Sequence, residues 1–123
     1  MRVKATREGL IGHKTSTGYV IDTSVSFVAL PSVAALYRFV KIANPSNGRT
    51  CYAQVLDVGP WNTHDDAYVF QGARPMSESG RKISPAGLVI DGNTNGAGID
   101  LGERVWNSLG MNDNGQVDWE FLP

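Results

Sequence analysis

The stretch LYRFVKIANPSNGRTCYAQVLDVGP, Leu36 to Pro60, decides how the chain reads. In its first part, Leu36 to Ala43, Val40 and Ile42 alternate with Lys41, which is the period of a half-buried strand. NPSNGR, Asn44 to Arg49, then carries Asn-Pro and Asn-Gly turn signals. Thr50 to Asp57 reads as the returning strand. The predicted unit is a β-hairpin that delivers a carboxylate, Asp57, to the mouth of a Gly-Pro turn, with Trp61, His64 and two further acids just beyond it.

Outward from the hairpin the same logic repeats. Val3 and Ala5 alternate with Arg2 and Lys4, predicting a strand over Met1 to Arg7. TSTG, Thr15 to Gly18, is a turn, and Tyr19 to Ile21 and Ser26 to Leu30 are short extended pieces. Val58 to Gly98 is rich in turn residues, including Pro60, Pro75 and Pro85. A stretch this long inside a compact domain is either functional or holds small elements of its own, and Leu88 to Ile90 is expected to be one. Leu101, Val105 and Leu109 recur at helical spacing, so Ile99 to Leu109 is predicted as a helix. Asp100 and Glu103 have the spacing of a capping box at its start, and Gly110 stands where a helix ends. Val117, Trp119 and Phe121 mark a closing strand over Gln116 to Leu122. Five to seven short strands and one short helix define an all-β class, as a small closed barrel. The expected organisation is one domain over 1–123 with 58–98 as a loop insert.

Composition narrows the partners. The chain has 123 residues and a net charge of −1, so no basic field exists to hold nucleic acid or an anionic membrane. No apolar run approaches the length of a membrane span. The single cysteine, Cys51, cannot form an intrachain disulfide and sits in a strand-like run as a buried thiol. MRVKATREGLIGHK lacks the apolar region of a secretion leader, so export, a cytoplasmic setting and a phage-associated one all stay open, as does the oligomeric state. No cofactor is expected. DGNTNG, Asp91 to Gly96, matches the first half of a calcium loop, but its twelfth position is Gly102 instead of a bidentate glutamate, so it reads as a polar turn. His13, His64 and Cys51 follow no zinc spacing. No metal site is expected.

The motifs and their order resemble the double-psi β-barrel of rare lipoprotein A, a barrel shared by expansins, barwin-like proteins, family-45 endoglucanases and some lytic transglycosylases. The family's T-A-x-G is similar to Thr15 to Gly18, its N-G-R to Asn47-Gly48-Arg49, its D-R-G-P to Asp57-Val58-Gly59-Pro60, and its I-D-L-S to Ile99-Asp100-Leu101-Gly102, with L-G at Leu109-Gly110. Val58, Gly102 and Phe27 stand where the family has Arg, Ser and His. The resemblance implies a six-stranded double-psi barrel in which Asp57 and Asp100 become neighbours beside an open groove.

Two carboxyl groups sharing a groove push their pKa values apart, so one can hold a proton for a glycosidic oxygen. The resemblance assigns Asp100 as the acid, Asp57 as base or electrostatic partner, and Thr15 as a hydrogen-bonding neighbour of one of them. Each acid also has a structural reading, Asp57 as a turn organiser and Asp100 as a helix cap. A cap position would lower the Asp100 pKa and oppose the acid role. Trp61, His64 and Tyr68 are candidate saccharide contacts, because aromatic faces present flat apolar area with a polar edge; they equally suit pinning the insert to the barrel. His64 is the candidate stand-in for the family histidine. Three functions follow: cleavage of a cell-wall glycan such as peptidoglycan in lytic-transglycosylase fashion, non-catalytic polysaccharide binding or wall loosening of expansin type, and an intracellular interaction domain.

Overall fold

The computed structural model describes residues 1–83 and 87–123; the turn expected at Pro85 lies outside them. Eight strands are present among these residues: β1 (Arg2–Glu8), β2 (Phe27–Leu30), β3 (Phe39–Ala43), β4 (Thr50–Val58), β5 (Arg81–Ile83), β6 (Val89–Asp91), β7 (Ala97–Gly102) and β8 (Gly115–Phe121). Two short helices accompany them, α1 (Asp66–Gln71) and α2 (Glu103–Ser108). Six strands close into a barrel in the order β1-β7-β2-β4-β3-β8. The pairs β1/β7 and β2/β4 are parallel and the other barrel neighbours antiparallel. This is the expected mainly β, six-stranded double-psi barrel. Closure leaves no unpaired barrel edge, which suits strands this short.

Alternation fills the interior. Val3, Ala5, Val28, Leu30, Val40, Ile42, Val55, Ile99, Leu101 and Val117 are buried in one cluster. Each of the valines, leucines and isoleucines among them contributes roughly 1.5–3 kcal/mol when fully buried. Val105, Trp106 and Leu109 of α2 join the same cluster. The β3–β4 hairpin forms as predicted, with Val40 opposite Ala53 and Ile42 opposite Cys51. Its turn also completes α2: Asn44 Nδ2 and Asn47 Nδ2 donate to the Leu109 carbonyl at 2.8 and 2.9 Å. A carbonyl that the helix itself leaves without a donor is thereby satisfied.

The helix expected from Ile99 begins only at Glu103, and Ile99 to Gly102 belong to β7. Ile99 and Leu101 pair with Ala5 and Arg7 of β1, and Leu101 also pairs with Val28 of β2. Ladder partners on both sides override the helical spacing of Leu101, Val105 and Leu109. Asp100 is therefore no cap; Gly102 holds that position without a side-chain bond.

The 58–98 segment is not a bare loop. It holds α1, a 3₁₀ turn over Met76–Ser79 and the β5–β6 hairpin. The small element expected at Leu88 to Ile90 is β6, one residue later. Three interior bonds tie the segment to the barrel. Tyr68 Oη donates to Gly98 O at 2.9 Å, Trp119 Nε1 donates to Tyr68 Oη at 2.7 Å, and Ser77 Oγ donates to Ala97 O at 2.6 Å. Gly98 permits the close approach, since a Cβ there would lie 2.8 Å from Tyr68 Oη. No helix among the described residues is long and apolar enough to cross a membrane.

Candidate functional site

Strand register brings the two aspartates together. β2 runs between β4 and β7, and Ala29 is the partner of Asp57 on one side and of Asp100 on the other. The acids thus sit two strand spacings apart, about 10 Å between backbones. Asp100 alternates with the core residues Ile99 and Leu101, so its side chain leaves the barrel wall on the outer face. The residue between the acids carries only a methyl group.

Asp100 is largely enclosed. Its register partner on β1 is Thr6, whose hydroxyl donates to Oδ1. Burial raises the carboxyl, the Thr6 bond opposes this, and the nearby Asp57 charge adds to it, leaving the group pushed up to about 6. The lowering expected of a helix cap is absent because the residue lies in a strand.

Asp57 is held differently. Burial disfavours its charge, but hydrogen bonds outweigh burial and keep it below its ordinary range: from Glu8, from the Ser16 N–H and hydroxyl, and from the Val58 N–H. Both Ser16 donors and the Val58 N–H reach Oδ1, at 2.9, 2.7 and 2.9 Å. Three donors thus converge on a single Asp57 oxygen. Thr15 is not the expected partner of either acid. Its hydroxyl is bonded to Thr17 Oγ1, and the neighbouring Ser16 makes the contact instead.

Asp100 opens onto a cleft of about 460 Å³. Thr6 and Arg7 of β1 share its lining with Asp100, while Pro60, Trp61 and Asn95 come from the 58–98 segment and Asn114 precedes β8. Arg7 is anchored by its ion pair with Glu103. Trp61 is 42% exposed and held by a bond from Nε1 to Asn95 Oδ1 at 2.9 Å. Lys82 Nζ lies 5.3 Å from its ring centroid. Trp61 adopts φ 68°, a conformation that costs a bulky residue about 1–3 kcal/mol and that here directs the ring beside Asn95.

The other two aromatic candidates do not reach this cleft. Tyr68 is 1% exposed, and its hydroxyl is engaged on both sides within the core. Burial raises its pKa well beyond the ordinary tyrosine range. It is a core residue, and a saccharide contact through it is ruled out. His64 bridges Ser32 through its backbone, and its Nδ1 pairs with Thr63 Oγ1 at 2.9 Å. It lines no part of the cleft, so it does not replace the family histidine there. Phe27, at that histidine's position, packs on Gly102, where a Cβ would lie 2.5 Å from the ring. Phe27 and Gly102 thus form one close packing contact.

Sequence reading missed Glu8, Thr6, Ser16, Asn95 and Asn114. Thr6 was legible only as a polar position of the predicted strand and Glu8 lay just beyond its predicted end, and their partners lie far away in sequence.

Residues 1–120 match the family described as Domain of unknown function (DUF8814). The chain belongs to that family. No curated protein matches it. Among solved structures it is similar to cerato-platanin 3 from M. perniciosa, at 10% identity over 100% of this chain and 95% of that one, with a TM-score of 0.56. It is also similar to Streptomyces papain inhibitor, at 17% identity over 97% of this chain and 92% of that one, with a TM-score of 0.49. The likeness to cerato-platanin 3 is one of fold.

Proposed function

We propose that the protein grips a β-1,4-linked polysaccharide, peptidoglycan in the first instance, in the Trp61–Asp100 cleft and cleaves it without water. The observation that carries this reading is Asp100: a carboxyl raised to about 6, placed on an open cleft beside an exposed tryptophan. At neutral pH about a tenth of such a group is protonated, enough for a general acid. A sugar ring lies on Trp61, and Arg7, Asn95 and Asn114 offer hydrogen bonds to its hydroxyl groups. Asp100 gives its proton to the glycosidic oxygen as the C1–O4 bond breaks. The sugar's own 6-hydroxyl then attacks C1, and its proton returns to Asp100.

Asp57 supports this one-carboxyl route over hydrolysis. A hydrolase needs a second carboxylate to direct water or attack the sugar. Asp57 is engaged by Ser16, Val58 and Glu8 and does not line the cleft. Its part is to keep a negative charge near Asp100. The same engagement favours a second reading, a module that holds the glycan without cutting it.

Incubation with purified peptidoglycan, read by mass spectrometry, separates the two. Anhydro-muropeptides from the native protein, lost in Asp100→Asn with glycan binding retained, support cleavage. Binding without product establishes the second reading. Absence of both binding and product removes the glycan proposal.

A further inference from the structure

Glu8 does not line the cleft. It ends β1, pairs with Gly102 and stands two residues beyond Thr6, the partner of Asp100. Side chains two apart on a strand leave the same face, so Glu8 follows Thr6 along the wall of the barrel. Its carboxyl lies within hydrogen-bonding reach of the Asp57 carboxyl on β4 and feels the charge of Asp100 on β7. Glu8 Oε2 is enclosed and meets no N–H or hydroxyl donor among the described residues. Arg7, its neighbour on β1, turns its guanidinium to Glu103. Ser16 and Thr6 direct their hydroxyls to Asp57 and Asp100, leaving none for Glu8.

Two carboxylates that face each other without a cation repel, and an enclosed charged oxygen without a donor is costly. One proton between them relieves both conditions. Burial first, then the bond to Asp57 and the charges of Asp57 and Asp100, push Glu8 up to about 9.

We propose that Glu8 and Asp57 share one proton, making Glu8 a positioning residue that fixes Asp57 as a single anion beside Asp100. The cleft's acid then sits next to one negative charge instead of two. This deepens the glycan reading and rests on it only for the consequence in the cleft.

The test is a ¹³C carboxyl NMR titration of the protein without glycan, over roughly pH 3 to 10. Glu8 is expected to titrate far above its ordinary value of 4.5. Glu8→Gln supplies a permanent N–H to Asp57. It is expected to leave the Asp57 and Asp100 curves in place and to abolish the alkaline transition. Glu8→Leu removes the donor and is expected to move Asp57 upward by about one pH unit or more. Glu8 titrating near 4.5, or an Asp57 curve unchanged in Glu8→Leu, overturns the proposal. Should Glu8→Leu fail to fold, the native and Glu8→Gln curves decide alone. Curves as expected with no glycan cleavage sink the cleft reading and leave the pair standing; cleavage with Glu8 at its ordinary value does the reverse.

Discussion

Asp100 and Tyr68 exchange the standing that their sequence context suggests. Asp100 looks like a helix cap, yet it lies between Thr6 and Ala29 in a sheet, where burial raises its carboxyl. Tyr68 looks like an exposed aromatic beside a histidine, yet its hydroxyl joins Gly98 O to Trp119 Nε1 inside the core. The two aromatic rings therefore answer differently to substitution. Trp61→Ala is expected to weaken glycan binding by roughly tenfold, about 1.4 kcal/mol, in a binding titration, with little change in Tm. Tyr68→Phe leaves a buried N–H and a buried carbonyl without their partner. It is expected to cost about 1–3 kcal/mol in denaturant unfolding while glycan binding holds. Loss of binding in Tyr68→Phe at unchanged stability would contradict this assignment of roles.

At the scale of elements, two contacts interlock distant segments. The β3–β4 turn satisfies the Leu109 carbonyl at the end of α2 through Asn44 and Asn47. Its Asn-Gly signal is readable locally; its second task is not, because the acceptor lies 65 residues from Asn44. The start of β2 likewise meets the end of β7, where the Phe27 ring covers Gly102. Gly102→Ser places a Cβ about 2.5 Å from that ring, and overpacking of this kind costs about 1–3 kcal/mol. The expected loss is smaller on a Phe27→Ala background, with a coupling of about 1 kcal/mol or more in a double-mutant cycle. Strict additivity of the two changes would show that the residues do not press on one another. The hairpin and the first and last strands follow from alternation, whereas β7 does not. Its apolar residues also fit a helical stripe, and only pairing with β1 and β2 selects the strand.

For the whole molecule, the enclosed carboxyl groups set how stability depends on pH. Glu8 is raised from 4.5 to about 9, so its contribution is complete below about pH 4.5 and is lost as pH rises through 9. Asp100, raised from 3.8 to about 6, behaves alike over the lower window. Asp57 is lowered from 3.8, and its contribution is lost only as pH falls below that value. Thermal unfolding is therefore expected to show Tm declining in two stages between about pH 4 and 9. Asp100→Asn flattens the acidic stage and Glu8→Gln the alkaline one. A Tm that rises across this range, or that keeps its profile in both variants, would refute the carboxyl assignments. The sequence by itself determined a mainly β chain, the β3–β4 hairpin and a small closed barrel, because alternation and turn chemistry act between near neighbours; Asp57 and Asp100 stood out only through the resemblance of their motifs. Only the tertiary structure decided that Asp100 lies in a strand, that Ser16 and not Thr15 holds Asp57, that Tyr68 belongs to the core and that Glu8 joins the acids. Those outcomes depend on register between strands far apart in the chain, and on which side chains closure shuts away from water.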